Sequence, residues 1–152
     1  MEIQLRAVTY DNFDAVVELQ LLKHQEDYLA SNCYSIAQSK FDPDYQPRAI
    51  YADQELVGFL MYHTFDCDVR HQTGIHRFMI DQRHQGKGIG RCAMESVLAE
   101  IKSAAQLQRI TICYHPDNPL AKPFYASLGF IEVGIDEEGE MIAEIRIGQD
   151  HD

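Results

Sequence analysis

The chain is short of basic charge. Thirteen Lys and Arg stand against 24 Asp and Glu, giving a formal net charge of −11. That balance argues against nucleic acid or an anionic membrane as partner, and it suits a small cationic substrate. Long apolar runs are also missing. No stretch approaches the roughly 18 residues that span a bilayer. The opening Met1-Glu2-Ile3-Gln4-Leu5-Arg6 has no basic segment leading into an apolar one, so no secretory signal is expected. Cysteine is sparse and scattered. Cys33, Cys67, Cys92 and Cys113 form no C-x-x-C pair, which points to reduced thiols in a cytoplasmic protein. Repeats, low-complexity tracts and long linkers are absent as well. With 152 residues and 45% hydrophobic content, the chain reads as one domain over residues 1–152.

What is present is concentrated in one segment, Arg77-Phe78-Met79-Ile80-Asp81-Gln82-Arg83-His84-Gln85-Gly86-Lys87-Gly88-Ile89-Gly90-Arg91. It runs from an apolar strand through a glycine-rich turn into a helix. Glycines at alternate positions leave the turn backbone nearly bare. The N–H groups from Gly86 to Gly90 can then converge where the helix begins. A helix N-terminus carries orphan donors and partial positive charge, so such a turn suits phosphate oxygens. Two nucleotide loops fail on spacing. A Walker loop needs Ser or Thr after its Lys, and Lys87 is followed by Gly88. A dinucleotide fingerprint counted from Gly86 and Gly88 meets Arg91 where its last glycine should be.

The pattern Arg83-x-x-Gly86-x-Gly88 instead resembles the acyl-coenzyme A pyrophosphate loop of the GNAT superfamily of N-acetyltransferases. A second stretch supports this, Asn118-Pro-Leu-Ala121-Lys-Pro-Phe124-Tyr125-Ala-Ser-Leu128-Gly129-Phe130. It is similar to that family's second signature, an Asn before a helix that carries a Tyr and ends in Leu-Gly-Phe.

Pattern alone gives an α/β chain with a mixed sheet. Strands are expected at Ile3–Ala7, Arg48–Ala52, Leu56–Tyr62, Ile75–Ile80, Arg109–Tyr114, Ile131–Val133 and Met141–Ile147. The Leu56–Tyr62 strand is apolar on both faces and should be central. Thr9 is the expected N-cap of a helix with Phe13, Val16, Val17 and Leu21 on its apolar face. Residues 23–45 should hold one or two short helices. His63 to Thr73 reads as a charged connection. Ile89, Ala93, Val97 and Ile101 mark a helix packed on the sheet, and a short helix from Ala121 to Leu128 should stop at Gly129. The resemblance extends this to the GNAT fold, a central twisted mixed sheet of six to seven strands flanked by helices.

The resemblance implies acetyl-CoA as acyl donor and a primary amine as acceptor. Arg83, Gln85, Gly86, Lys87, Gly88, Ile89, Gly90 and Arg91 would hold the phosphates. The backbones of Phe78, Met79 and Ile80 would pair with the pantetheine arm like an added strand, and one N–H there would face the thioester oxygen. Asn118 would lie near the same arm. Tyr125, seven residues after Asn118, would be the general acid for the leaving thiolate, with Phe124 assigned to the core. Within the superfamily the texture is most similar to bacterial diamine and spermine/spermidine N-acetyltransferases. Glu26 and Asp27, with acids of the 63–73 loop and Asp81, are candidates to bind a cationic amine, and His76 is a candidate base. His63, Asp66, Asp68, His71 and His76 match no metal-ligand spacing, and no metal is expected. Aminoglycoside, amino acid and protein N-terminal acceptors stay open, as do a non-catalytic acyl-CoA-binding module and a homodimer.

Overall fold

The computed structural model describes residues 1–23, 31–64, 72–103 and 107–147. Its elements are β1 (Ile3–Ala7), α1 (Phe13–Glu18), α2 (Asn32–Phe41), β2 (Tyr45–Ala52), β3 (Glu55–Thr64), β4 (Gln72–Ile80), a 3₁₀ turn (Gln82–His84), α3 (Ile89–Lys102), β5 (Arg109–Tyr114), α4 (Ala121–Ser127), β6 (Ile131–Ile135) and β7 (Met141–Arg146). The seven strands form one sheet in the order β1-β2-β3-β4-β5-β7-β6. Every neighbouring pair is antiparallel except β4 and β5. The turn between β2 and β3 is Asp53-Gln54. Both residues are left-handed, at φ 49° and 73°, as a two-residue hairpin turn of the twist-matched kind requires.

The two-faced apolar strand is central, with a different core on each side. Leu60 and Tyr62 of β3 face α3, whose Ile89, Ala93, Met94, Val97, Leu98 and Ile101 are all buried. Phe59 and Met61 face the opposite way, onto Val16 and Leu19. Each such large apolar side chain contributes about 1.5–3 kcal/mol by leaving water.

One irregularity shapes the functional end of the sheet. Pairing of β3 with β4 slips between Phe59 and Met61, and Arg77 opposite the slip has φ 57°. This is a β-bulge, which bends its strand and increases twist. A non-glycine residue in that conformation costs about 1–2 kcal/mol. The Arg77 guanidinium is held by Gln38 Oε1 of α2 at 2.9 Å. The parallel rungs joining β4 to β5 run only from Gln72↔Arg109 to Ile75↔Ile112. From His76 onward β4 has no rung to β5, so the sheet is split along its parallel pair.

Three expectations need correction. Thr9 is not the cap of α1. Its carbonyl accepts from the N–H groups of Asn12 and Phe13, closing a turn, and Asn12 is the cap residue. The helix stops at Glu18 because the chain turns extended at Leu19 to deliver Gln20 N–H to Asp81 Oδ1 at 2.8 Å. Leu21 therefore lies beyond it, and Val16 alone of the expected face is fully buried in the helix. The polar stretch at residues 63–73 hid strand ends. His63 pairs with Gly74 and Thr64 with Thr73, while residues 65–71 lie outside the described residues.

Candidate active site

A cleft of about 650 Å³ occupies the split between β4 and β5. One wall is β4 from Ile75 to Ile80, and the other is Ile112 to Tyr114 with the segment from Asn118 to Tyr125. At one end stands the glycine turn and the start of α3. Gly86 and Gly88 are left-handed, at φ 79° and 81°. Gly88 is the cap residue of α3 and offers no side-chain acceptor to its first N–H groups. A Cβ built on Gly86 or Gly88 meets nothing within 4 Å. The uncapped helix end thus faces open space, which is the fit a phosphate group requires.

Phe78, Met79, Ile80, Gln85, Gly86, Gly88, Gly90, Arg91, Asn118 and Tyr125 all line the cleft. Arg91 is held there by Ser127 Oγ and lies 5.8 Å above the Phe124 ring. The Gln85 amide donates to Ile80 O at 2.9 Å, which braces the turn. Asn118 Oδ1 accepts the N–H of Leu120 at 3.2 Å, shaping the entry to α4. Three residues of the expected set are placed otherwise. Ile89 is buried in the core, so only its backbone is available. Lys87 is exposed and does not line the cleft. Arg83 is also outside the lining, its Nε donating to Asp81 Oδ2 at 2.8 Å.

Asp81 corrects another expectation. Its side chain is 2% exposed, and it accepts from Gln20 N, Arg83 N and Arg83 Nε. The carboxylate is spent on tying the segment after α1 to the end of β4, not on an amine. These hydrogen bonds hold it below the usual carboxylate range, against the opposing effect of burial. A depressed carboxyl stabilises the fold above its unfolded pKa near 3.9, and that contribution fades as pH falls through the lower folded value. Asp81→Asn is expected to cost about 2 kcal/mol at pH 7, the scale of losing charged hydrogen bonds. The melting-temperature gap to wild type should narrow as pH falls from 5 toward 3. An unchanged melting temperature at pH 7 would remove the anchoring role.

His76 lines the cleft with its ring 5.9 Å from Tyr45, edge-on. Burial, with the charges of Arg77 and His63, pushes it down to about 4. It is neutral at working pH and a weak base. His63 Nε2 lies 2.9 Å from Asp42 Oδ2, and its ring also packs edge-on against Tyr45. Glu26, Asp27, Asp66, Asp68 and His71 lie outside the described residues. Among the described residues no carboxylate lines the cleft.

The aromatic wall holds what sequence reading missed. Phe124 packs against the core as expected, and it also lines the cleft and stacks on Phe78 with ring centroids 6.3 Å apart. Tyr125 is flanked by Phe124, Tyr114 and Phe130 at 5.1, 5.4 and 5.9 Å. Burial, then Tyr114, raise its phenol well above the usual 10. Tyr114 and His84 also line the cleft. Tyr114 was legible only as the last residue of an alternating strand, and nothing in its spacing marks it.

The arrangement is a long cleft down a split sheet, with an uncapped helix start at one end and Tyr125 in its wall. A model of the acetyltransferase (GNAT) family matches residues 13–130. The spermine/spermidine N(1)-acetyltransferase of Bacillus subtilis (strain 168) is 31% identical over 93% of this chain and 97% of its own length. The solved spermidine N-acetyltransferase of Vibrio cholerae, in complex with CoA and spermine, superposes with a TM-score of 0.77 over 95% of each chain, at 19% identity. An aminoglycoside acetyltransferase in complex with coenzyme A superposes at 0.79 with 14% identity, again over 95% of each chain. At those identities the likeness is one of fold. The chain belongs to the acetyltransferase (GNAT) family. Its donor is acetyl-CoA and its reaction is N-acetyl transfer.

Proposed function

We propose that the chain, acting as one domain over residues 1–152, acetylates a primary amine of a polyamine such as spermidine or spermine. The observation that carries the reading is the 31% identity to a spermine/spermidine N(1)-acetyltransferase along nearly the whole chain. The net charge of −11 supports it by drawing in a polycation. Three free thiols among the described cysteines, Cys33, Cys92 and Cys113, suit a cytoplasmic setting.

In this reading the neutral amine attacks the thioester carbonyl directly. Backbone N–H of β4 between Phe78 and Ile80, on the side with no rung to β5, donates to the developing oxyanion. Tyr125 donates a hydrogen bond to the sulfur as the carbon–sulfur bond breaks, and the proton that the nitrogen loses ends on the departing thiolate. Its raised phenol stays protonated across the range in which the acceptor titrates. An alkylammonium near pKa 10.4 is mostly charged at neutral pH. With His76 already neutral above about 4, the free-amine fraction sets the pH dependence. The rate at low acceptor should climb from pH 7 toward 10 with no inflection near 6.5, and it should fall as salt screens the distal ammonium.

The test is released thiol with spermidine against a monoamine of similar length. Catalytic efficiency for spermidine is expected to be at least about tenfold higher, the worth of one modest electrostatic contact near 1.4 kcal/mol. Equal efficiency, or good activity on an aminoglycoside or amino acid with none on polyamines, would overturn the acceptor assignment and leave the acetyltransferase intact.

A further inference from the structure

Tyr125 sits on a helix too short to place it. α4 has seven residues, and its cap residue Leu120 contributes no side-chain hydrogen bond. Helices this short have no stability of their own in water. The phenol is therefore positioned by whatever α4 packs against. Two contacts from α4 lead to the same place. The Tyr125 ring lies 5.4 Å from that of Tyr114, with 21° between the planes. Lys122, three residues earlier on the helix, reaches Glu132 Oε1 at 3.6 Å. The other oxygen of that carboxylate, Oε2, accepts the Tyr114 hydroxyl at 2.5 Å.

The contacts close a loop from Lys122 to Glu132, to Tyr114, and back to α4 through Tyr125. It joins α4 to β5 and β6 across the mouth of the split sheet. Tyr114 stands two residues past the last rung between β4 and β5, is 8% exposed and lines the cleft. Its hydroxyl proton is committed to Glu132, so it is no rival donor to the sulfur. Its ring is the surface on which the Tyr125 ring rests. Glu132 fixes that surface and, through Lys122, the roll of the helix.

We propose that Tyr114 and Glu132 are positioning residues for acetyl transfer, acting through Tyr125 by the ring stack and the Lys122–Glu132–Tyr114 loop. The inference rests on the reading of Tyr125 as hydrogen-bond donor to the departing sulfur. Misplacing a catalytic group by about 1 Å costs up to about 100-fold in rate, so partial loss of the support should cost less.

The experiment is a double-mutant cycle read by kcat under conditions where chemistry limits, with KM for acetyl-CoA measured alongside. Tyr114→Phe, which keeps the ring and frees it from Glu132, is expected to lower kcat about tenfold and to leave KM for acetyl-CoA within about twofold. Glu132→Ala should behave likewise, and Glu132→Gln, which keeps an acceptor, should recover most of the loss. In a Tyr125→Phe background, adding Tyr114→Phe should change kcat less than about twofold, since the two act as a unit. A Tyr114→Phe loss of equal size with and without the Tyr125 hydroxyl would overturn the proposal. So would wild-type kcat in Tyr114→Phe and Glu132→Ala while Tyr125→Phe is slow, which leaves the donor reading standing. Wild-type kcat in Tyr125→Phe itself would remove the donor reading and this inference with it. Should Tyr114→Phe fail to fold, the same cycle runs with Glu132→Ala.

Discussion

Tyr125→Phe is expected to lower kcat about 100-fold, in the range for loss of a positioned acid, while acetyl-CoA affinity stays within about twofold. The substitution removes one oxygen and keeps the ring that packs on Tyr114, Phe124 and Phe130. Binding and fold should therefore survive, and the deficit should appear in turnover. The pH dependence adds a second check. Burial holds the phenol of Tyr125 well above 10, so it does not ionise between pH 7 and 10. The ratio of wild-type to variant rate should be flat over that interval. So weak an acid does not protonate a free thiolate downhill, because a thiol near pKa 8.5 holds its proton less tightly than this phenol does. Its contribution is a hydrogen bond that strengthens as charge develops on sulfur, in a site walled by the rings of Tyr114, Phe124 and Phe130. An unchanged turnover number, with chemistry shown to be limiting by a pre-steady-state burst measurement, would remove Tyr125 from the role. A wild-type to variant ratio that collapses toward one at pH 10 would instead mean that the group ionises there.

The parts of this enzyme that were legible in the sequence are those set by local chemistry. β5 was bounded correctly because Arg109–Tyr114 alternates cleanly, with Ile110, Ile112 and Tyr114 buried. α3 was legible because Ile89, Ala93, Val97 and Ile101 recur on one face and all are buried. The glycine turn announced itself through backbone freedom, and the left-handed Gly86 and Gly88 use it. What escaped was tertiary. The bulge at Arg77 has no local signal, since an arginine is not a residue that favours φ 57°. Its conformation is held by the pairing slip opposite Phe59 and Met61 and by Gln38 on another element. Asp81 looked like a free acid beside the cofactor loop. Its partner Gln20 lies 61 residues away in sequence, so the spent carboxylate could not be read from spacing. Phe124 and Tyr125 are adjacent on α4, and sequence gave no reason for both to face the cleft. On a helix of seven residues packed on rings from β4, β5 and the Phe130 turn, both do.

Gly88→Val is expected to weaken coenzyme A binding by well over tenfold, more than about 1.4 kcal/mol, with the domain still folded. Two effects of the substitution must be kept apart. Gly88 has φ 81°, where an L-residue is strained by about 1–2 kcal/mol. That strain lowers stability whether or not a ligand binds there. The second effect is local to the site. A Cβ at Gly88 meets no protein atom within 4 Å, so the valine side chain does not clash with the fold. It enters the open space before the first N–H groups of α3, where a pyrophosphate bound at this helix end would have to approach the backbone closely. Gly139 supplies the control. It has nearly the same conformation, φ 85°, and the same open surroundings, but it lies in the turn between β6 and β7, away from the cleft. Gly139→Val should lose comparable thermal stability and keep wild-type affinity. Calorimetric titration of both variants with coenzyme A, beside their melting temperatures, separates strain from occlusion. Equal affinity for wild type and Gly88→Val would move the pyrophosphate away from this turn. Equal losses in the two variants would show that strain, and not the lost approach to the helix end, weakens binding.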